Sequence, residues 1–201
     1  PDIFGSMIQA VVTPEHRGDM GMHYTSVPNI MKVIQPLFLD ELYEEFEKAK
    51  GYAKKLNLLH LRIQNIKFFD SACGSGNFLI ISYKEIRKLE MLIFKEGGLL
   101  ICPSIKLTQF YGIELDDFAH EVAILSLWLA EHQMNVLFKK EFGTVPPALP
   151  LQDGGNIVHG NATRLDWEKV CPKNINDEIY ILGNPPYLGF LQQNRIQKED
   201  M

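Results

Sequence analysis

The chain has 201 residues, 46% of them hydrophobic and 22% charged, a balance that suits a folded domain with a real core and excludes a disordered one. Its formal net charge of −5 excludes a strongly basic nucleic-acid arm, though not a local basic face. No apolar run approaches the ~18 residues of a membrane span and no signal peptide opens the chain, while the three cysteines, Cys73, Cys102 and Cys171, form no CxxC pair and so point to a reducing cytoplasm.

In chain order, residues 1–25 are polar and irregular, with Gly5, Pro14, Gly18 and Gly21 as breakers. A helix is predicted from Ser26, a suitable N-cap, with Ile30, Val33, Ile34, Leu37, Phe38, Leu42 and Phe46 as its apolar stripe. Pro36 inside that stripe predicts a kink or a split. Lys48, Lys50, Lys54, Lys55, Arg62 and Lys67 read first as a solvated helix face and second as a phosphate-contacting one.

From Ile66 the pattern changes. A strand at 66–70 is followed by a loop and a helix marked by Phe78, Ile81, Ile86, Leu89 and Ile93, which Gly97-Gly98 ends. A second strand at 110–114 leads into a helix stepping through Phe118, Val122, Leu125, Leu129 and Gln133. Residues 139–156, rich in proline and glycine, read as a surface loop. A third strand is expected at 157–159 and a fourth at 178–182. This alternation predicts an α/β chain with a parallel sheet, whose ligands bind beyond the carboxyl ends of the strands. The unusual residues collect there: Asp70 to Asn77, Glu114, Asn161, and Asn184 to Tyr187.

In Asp70-Ser71-Ala72-Cys73-Gly74-Ser75-Gly76-Asn77-Phe78 the alternate glycines allow a sharp turn and close approach of a ligand to backbone, and the next helix offers free N–H groups. The dinucleotide pattern fails because Leu79 stands at the third glycine, and no P-loop lysine is present. Glu114, 114 − 76 = 38 residues past Gly76, suits the two hydroxyl donors of a ribose. A ligand with a ribose and a positive centre but no pyrophosphate fits this acidic loop, and S-adenosylmethionine is such a ligand.

Asn184-Pro185-Pro186-Tyr187 is the most specific motif. Two prolines make a stiff extended loop that can aim the Asn184 side-chain oxygen and the Pro185 carbonyl at one point. Two acceptors there hold both hydrogens of an –NH₂ group and stabilise the positive charge that develops on nitrogen as it is methylated. Tyr187 offers a flat face for a base taken out of a duplex.

These motifs resemble those of gamma-class DNA adenine-N6 methyltransferases. The loop at 70–78 is similar to their cofactor loop, 184–187 to their catalytic tetrapeptide, and Gly21-Met22-His23-Tyr24-Thr25-Ser26 to the upstream motif that wraps the methionine end of the cofactor. The wider texture, with His16-Arg17-Gly18-Asp19, Gly160-Asn161-Ala162 before Asp166-Trp167, and Gly183 to Gly189, most resembles the methyltransferase region of MmeI-like type IIG restriction–modification enzymes.

The resemblance implies a Rossmann-like S-adenosylmethionine-dependent methyltransferase fold, acting on a flipped adenine in duplex DNA. It implies that Tyr24 and Thr25 meet the methionine carboxylate, with His23 of the same motif also cofactor-binding, that Asp70 and the loop Ser71, Ala72, Cys73, Gly74, Ser75, Gly76, Asn77 and Phe78 hold the methionine part, and that Glu114 binds the ribose. Leu115 would lie against the cofactor's adenine, Asn161 and Ala162 would meet its amine, and Asn184, Pro185, Pro186 and Tyr187 would serve the target base, with Asn184 also near the cofactor. Ser71 departs from the usual proline, and Asn161 from the common aspartate, which predicts reduced rather than lost cofactor affinity. His16, His60, His120, His132 and His159 lack metal-ligand spacing, so no metal is expected.

Two other readings stand beside this one: a protein glutamine or ribosomal-RNA N-methyltransferase, and a catalytically silent cofactor- or DNA-binding module. Residues 1–60 are expected to form a helical connector with the upstream motif, and 61–201 the N-terminal, cofactor-binding part of the methyltransferase domain. The chain opens on Pro1 and stops at Met201, and it supplies fewer strands than the family's sheet. It is therefore expected to be a piece of a longer protein that also carries nuclease and target-recognition domains.

Overall fold

A computed structural model of the chain describes residues 25–97, 101–143, 154–175 and 177–185, with residues 193, 195 and 198. Helix α1 spans Val27–Ile34, a π-helical turn follows at Gln35–Leu39, and α2 runs over Asp40–Ala49. Ser26 is the N-cap of α1 through its backbone carbonyl, which accepts from Asn29 and Ile30, both at 3.0 Å. Pro36 does not split the helix as expected. Having no N–H to give, it is accommodated by one widened turn, in which the Asp40 N–H reaches back five residues to the Gln35 carbonyl. The apolar stripe thus continues in phase from Ile30 to Phe46, with Ile34, Phe38 and Leu42 fully buried.

After α3 (Ala53–Asn65) the sheet begins. Strands β1 (Lys67–Asp70), β2 (Phe110–Glu114), β3 (Asn156–His159) and β4 (Ile179–Ile181) pair in parallel in the order β3-β2-β1-β4. Phe68 sits opposite Phe110 on one side and Tyr180 on the other. Its ring stacks on Phe110 at 4.9 Å and meets Phe38 edge-on at 5.0 Å, which pins the register of three strands and docks the first helices onto them. The alternate residues Phe69, Ile113 and Cys171 form a smaller core on the opposite face.

Helix α4 (Asn77–Lys95) is buried on nearly every side, and α5 (Asp117–Phe142) packs along it. The sequence pattern stops α5 near Gln133. The expected stripe is not the buried face, since Phe118 and Leu125 are exposed. The helix buries Ala119, Ala123, Leu127, Ala130, Met134 and Phe138 instead, runs on past Gln133 with that face, and ends on Gly143 at φ +80°. Inside α4, Arg87 and Glu90 form an ion pair at 3.0 Å. Glu90 also accepts from the Ser104 and Ile105 amides, which ties the following loop to the core. A short helix, α6 (Trp167–Val170), capped by Asp166, was not expected.

The larger core runs without a break from Ile30 to Leu182, so α1 to α3 share it with the sheet. Lys48 and Lys50 pair with Glu44 and Glu47, and Lys55 lies over the Tyr52 ring, which favours the solvated-face reading of this lysine group. Among the described residues no helix is long and apolar enough to cross a membrane.

Candidate active site

The chain passes from β1 to β2 to β3 in one direction across the sheet and then returns to place β4 on the other side of β1. That reversal opens a crevice beyond the carboxyl ends of β1 and β4. Asp70 closes β1 on one side of it, and Gly183-Asn184-Pro185 leave β4 on the other.

The loop after β1 is clipped to β2. The Cys73 N–H donates to the Ile113 carbonyl at 3.0 Å, and the Gly74 N–H donates to Glu114 Oε2 at 2.7 Å. Gly74 and Gly76 hold φ of +54° and +81°, and Gly76 is the left-handed N-cap from which α4 starts. Asn77 therefore opens α4 with its free N–H groups at the crevice, and Phe78 anchors that turn in the core. The loop packs down because a notch receives Cys73: a Cβ on Gly112 would stand 2.9 Å from the Cys73 sulfur. Burial, with Asp70 and Glu114 nearby, pushes that thiol well above its ordinary value, so Cys73 is filler rather than nucleophile.

Asp70 is 2% exposed, and its Oδ1 accepts from the Ala72 N–H at 3.0 Å. Burial is the main reason its carboxyl is pushed up to about 7, and the charge of Glu114 adds to it while the Ala72 bond opposes it. Gly183 closes over this carboxyl at φ +147°, a conformation that favours glycine, and a Cβ there would lie 2.9 Å from Asp70 Cγ and nearer still to Oδ1. The sequence reading did not single out Gly183. Its signal was present, since a glycine directly before two stiffened positions marks a close approach.

Glu114 uses both oxygens on backbone, Oε2 on Gly74 and Oε1 on the Asp116 N–H at 2.8 Å, and each keeps lone-pair capacity for a hydroxyl donor. Beside it the apolar side chain of Leu115 is 61% exposed. Asn161 lies in the loop after β3, where its Oδ1 accepts from the Thr163 N–H at 3.0 Å and hydroxyl at 2.7 Å. The Ala162 carbonyl accepts from Trp167, whose ring meets Phe69 edge-on at 5.2 Å and so covers the sheet face.

Asn184 and Pro185 are exposed at the crevice mouth, and Asn184 Nδ2 donates to Thr25 Oγ1 at 3.3 Å. A groove of about 540 Å³ runs beside them, walled by Pro36 and Leu37 of the π-turn and floored by Ser71, Leu182 and Gly183. His23, Tyr24, Pro186 and Tyr187 lie outside the described residues. Among the described residues Asp117, His120 and Glu121 bring possible ligand atoms within 4.8 Å of one another at the start of α5, a grouping that histidine spacing alone did not show.

Strand order and this acidic crevice define a Rossmann-like methyltransferase domain. Residues 46–201 match the family described as MmeI, DNA-methyltransferase domain, and the chain belongs to that family. It is 58% identical to DNA methyltransferase A of Bacillus subtilis (strain 168) over 207 residues, covering the whole chain and 24% of that protein. It is 35% identical over 102 residues to a putative type II restriction enzyme and methyltransferase of Methanocaldococcus jannaschii, covering 46% of the chain and 8% of that protein. The solved structure of the Type IIL restriction–modification enzyme MmeI in complex with DNA superposes with a TM-score of 0.91 at 41% identity, over all of this chain and 28% of that one. The chain thus spans about a quarter of the length of its Bacillus relative and of MmeI.

Proposed function

We propose that this chain is the cofactor-binding part of an enzyme that methylates N6 of an adenine flipped out of duplex DNA, with S-adenosyl-L-methionine as donor. The observation that carries the reading is the joining of three strand ends at one crevice: Glu114 clips the loop after β1, and Gly183 seats the Asn184 loop on Asp70. The residues present fit the cofactor. A buried carboxyl suits its ammonium, Glu114 its ribose hydroxyls, and exposed Leu115 its adenine ring.

When bound, the cofactor supplies an electrophilic methyl group on a sulfonium. The protein's part is to hold the amine in line with it. Asn184 Oδ1 and the Pro185 carbonyl accept the two N–H bonds of the adenine amine, so that the nitrogen lone pair turns out of the ring plane toward the methyl carbon. The positive charge that grows on nitrogen is stabilised by the same two oxygens, and the surplus proton leaves to water. Tyr187 stacks on the extruded base. Tyr24 joins Thr25 around the methionine carboxylate, with His23 of the same motif also cofactor-binding, and Asn161 and Ala162 face the cofactor's adenine amine.

On this reading the connector proposed for residues 1–60 carries the upstream motif. Its described helices pack into one core with the N-terminal part of the methyltransferase domain, 61–201, and the helix Ala53–Asn65 runs across the boundary. Nuclease and target-recognition domains lie elsewhere in a full-length cytoplasmic restriction–modification protein of type IIG architecture. What supports that setting is the company of the chain: the Methanocaldococcus relative is described as restriction enzyme and methyltransferase, and MmeI was solved with DNA. The test is transfer of labelled methyl from the cofactor by the full-length enzyme to DNA, ribosomal RNA and a glutamine-bearing release factor. Label in DNA is expected, and label in RNA or protein without DNA overturns the proposal.

A further inference from the structure

We propose that Thr25 is a positioning residue that fixes which way the Asn184 amide faces, an inference that rests on the methyl-transfer reading above. A carboxamide has a donor end and an acceptor end of nearly the same shape, so packing alone does not choose between them. Only one orientation serves an –NH₂ substrate. With the oxygen toward the amine, Asn184 accepts. With the nitrogen toward it, two N–H groups face each other and repel.

The structure supplies a selector. Thr25 lies 184 − 25 = 159 positions before Asn184, just ahead of α1, yet its Oγ1 receives the Asn184 Nδ2 at 3.3 Å. This contact places the donor end of the amide on Thr25, so Oδ1 is the end left to accept. Asn184 is exposed and follows Gly183, which packs on Asp70, and among the described residues Thr25 is the side chain that meets its amide. Thr25 thus supplies the constraint on that side chain.

A hydroxyl both donates and accepts, and alone it would tolerate a reversed amide. The choice becomes one-sided when the Thr25 hydrogen is given away. On the reading above the methionine carboxylate of the cofactor would lie at Thr25, and because a carboxylate only accepts, it would take the Thr25 O–H. The Thr25 oxygen is then purely an acceptor, and the Asn184 nitrogen must face it. Cofactor occupancy thereby sets the amide for the target base.

The experiment compares wild type, Thr25→Val, Thr25→Ala and Thr25→Ser in the full-length enzyme, by single-turnover methyl transfer to DNA at saturating cofactor and, without DNA, by calorimetric titration of the cofactor. Thr25→Val keeps the shape and loses the hydroxyl. A fall of about tenfold or more in the saturated rate is expected for Val and Ala, the scale of one lost hydrogen bond to a polar group. Thr25→Ser should return the rate to within about threefold of wild type. If Thr25 serves the cofactor alone, its loss would weaken cofactor binding in the titration and leave the saturated rate unchanged, and that result overturns the inference. So does a serine variant no faster than the valine one. If wild type itself transfers no methyl to DNA, the functional reading falls first and this inference with it.

Discussion

Gly183 covers the carboxyl of Asp70 so closely that no side chain fits between them. This contact joins the loop that would hold the cofactor to the loop that would hold the target base. Gly183→Ala must either push Asp70 aside or move the Asn184 loop, and it also places a Cβ at φ +147°. Overpacking and backbone strain of this kind cost about 1–3 kcal/mol each. A loss of about 2–5 kcal/mol in chemical denaturation is expected, with methyl transfer falling more steeply than stability.

Asp70 predicts a pH dependence with a definite sign. Its carboxyl is pushed from an ordinary 3.8 up to about 7, so the folded chain keeps a proton there that the unfolded chain releases. The folded state is therefore fully favoured below about 3.8, and the advantage is lost as pH rises through the window to about 7. Ionising Asp70 in the empty fold costs at most about 4 kcal/mol, at 1.36 kcal/mol per pH unit. Asp70→Asn removes the titration. The cofactor-free variant should melt higher than wild type at pH 8 and bind the cationic cofactor far more weakly. In wild type, cofactor binding should release a proton near neutrality, which calorimetry in buffers of different ionisation enthalpy reads directly.

Glu114 should act on two levels. Its oxygens hold the Gly74 and Asp116 amides, so Glu114→Ala leaves two N–H groups unpaired. About 1–3 kcal/mol of stability is at stake for each that stays buried. Glu114→Gln keeps one acceptor but turns an –NH₂ toward the other amide, so it should lose about 1–3 kcal/mol, less than the alanine variant, while losing much of its cofactor affinity. Thermal melting set beside a cofactor titration separates the two effects.

The Arg87–Glu90 pair predicts a change in stability without a change in chemistry. Both side chains are buried, and Glu90 is held below its usual range by His60, Arg87 and the Ser104 hydroxyl and amide, against the cost of its burial. Its contribution is present above the unfolded carboxyl value and is lost as pH falls through the lower folded one. Glu90→Ala strands Arg87 and should cost about 3–5 kcal/mol. Cofactor affinity, measured where the variant is still folded, should stay within about threefold of wild type.

Much of this was legible in the sequence, because short-range signals decided it. The strand at Phe110–Glu114, the glycine loop and the parallel alternation follow from local pattern and turn chemistry. Other features were settled by tertiary structure. Pro36 produces a π-turn because the apolar stripe on both sides is in phase with one core. Arg87 and Glu90 sit inside an apolar helix as a buried ion pair, which spacing does not disclose. Asn161 gives its oxygen to Thr163, a local competition that composition cannot show. The contacts of Gly183 with Asp70 and of Thr25 with Asn184 join residues more than a hundred positions apart.

In the proposed reaction Asn184 works on an adenine amine while the rest of the crevice binds cofactor. The most direct measurement is mass spectrometry of nucleosides from DNA treated with full-length wild type and Asn184→Ala enzyme, alongside cofactor affinity for both. N6-methyladenine is expected from wild type and none from the variant, with cofactor affinity within about threefold between them. Methylcytosine as the product, or wild-type levels of N6-methyladenine from the alanine variant, would contradict the proposed reaction.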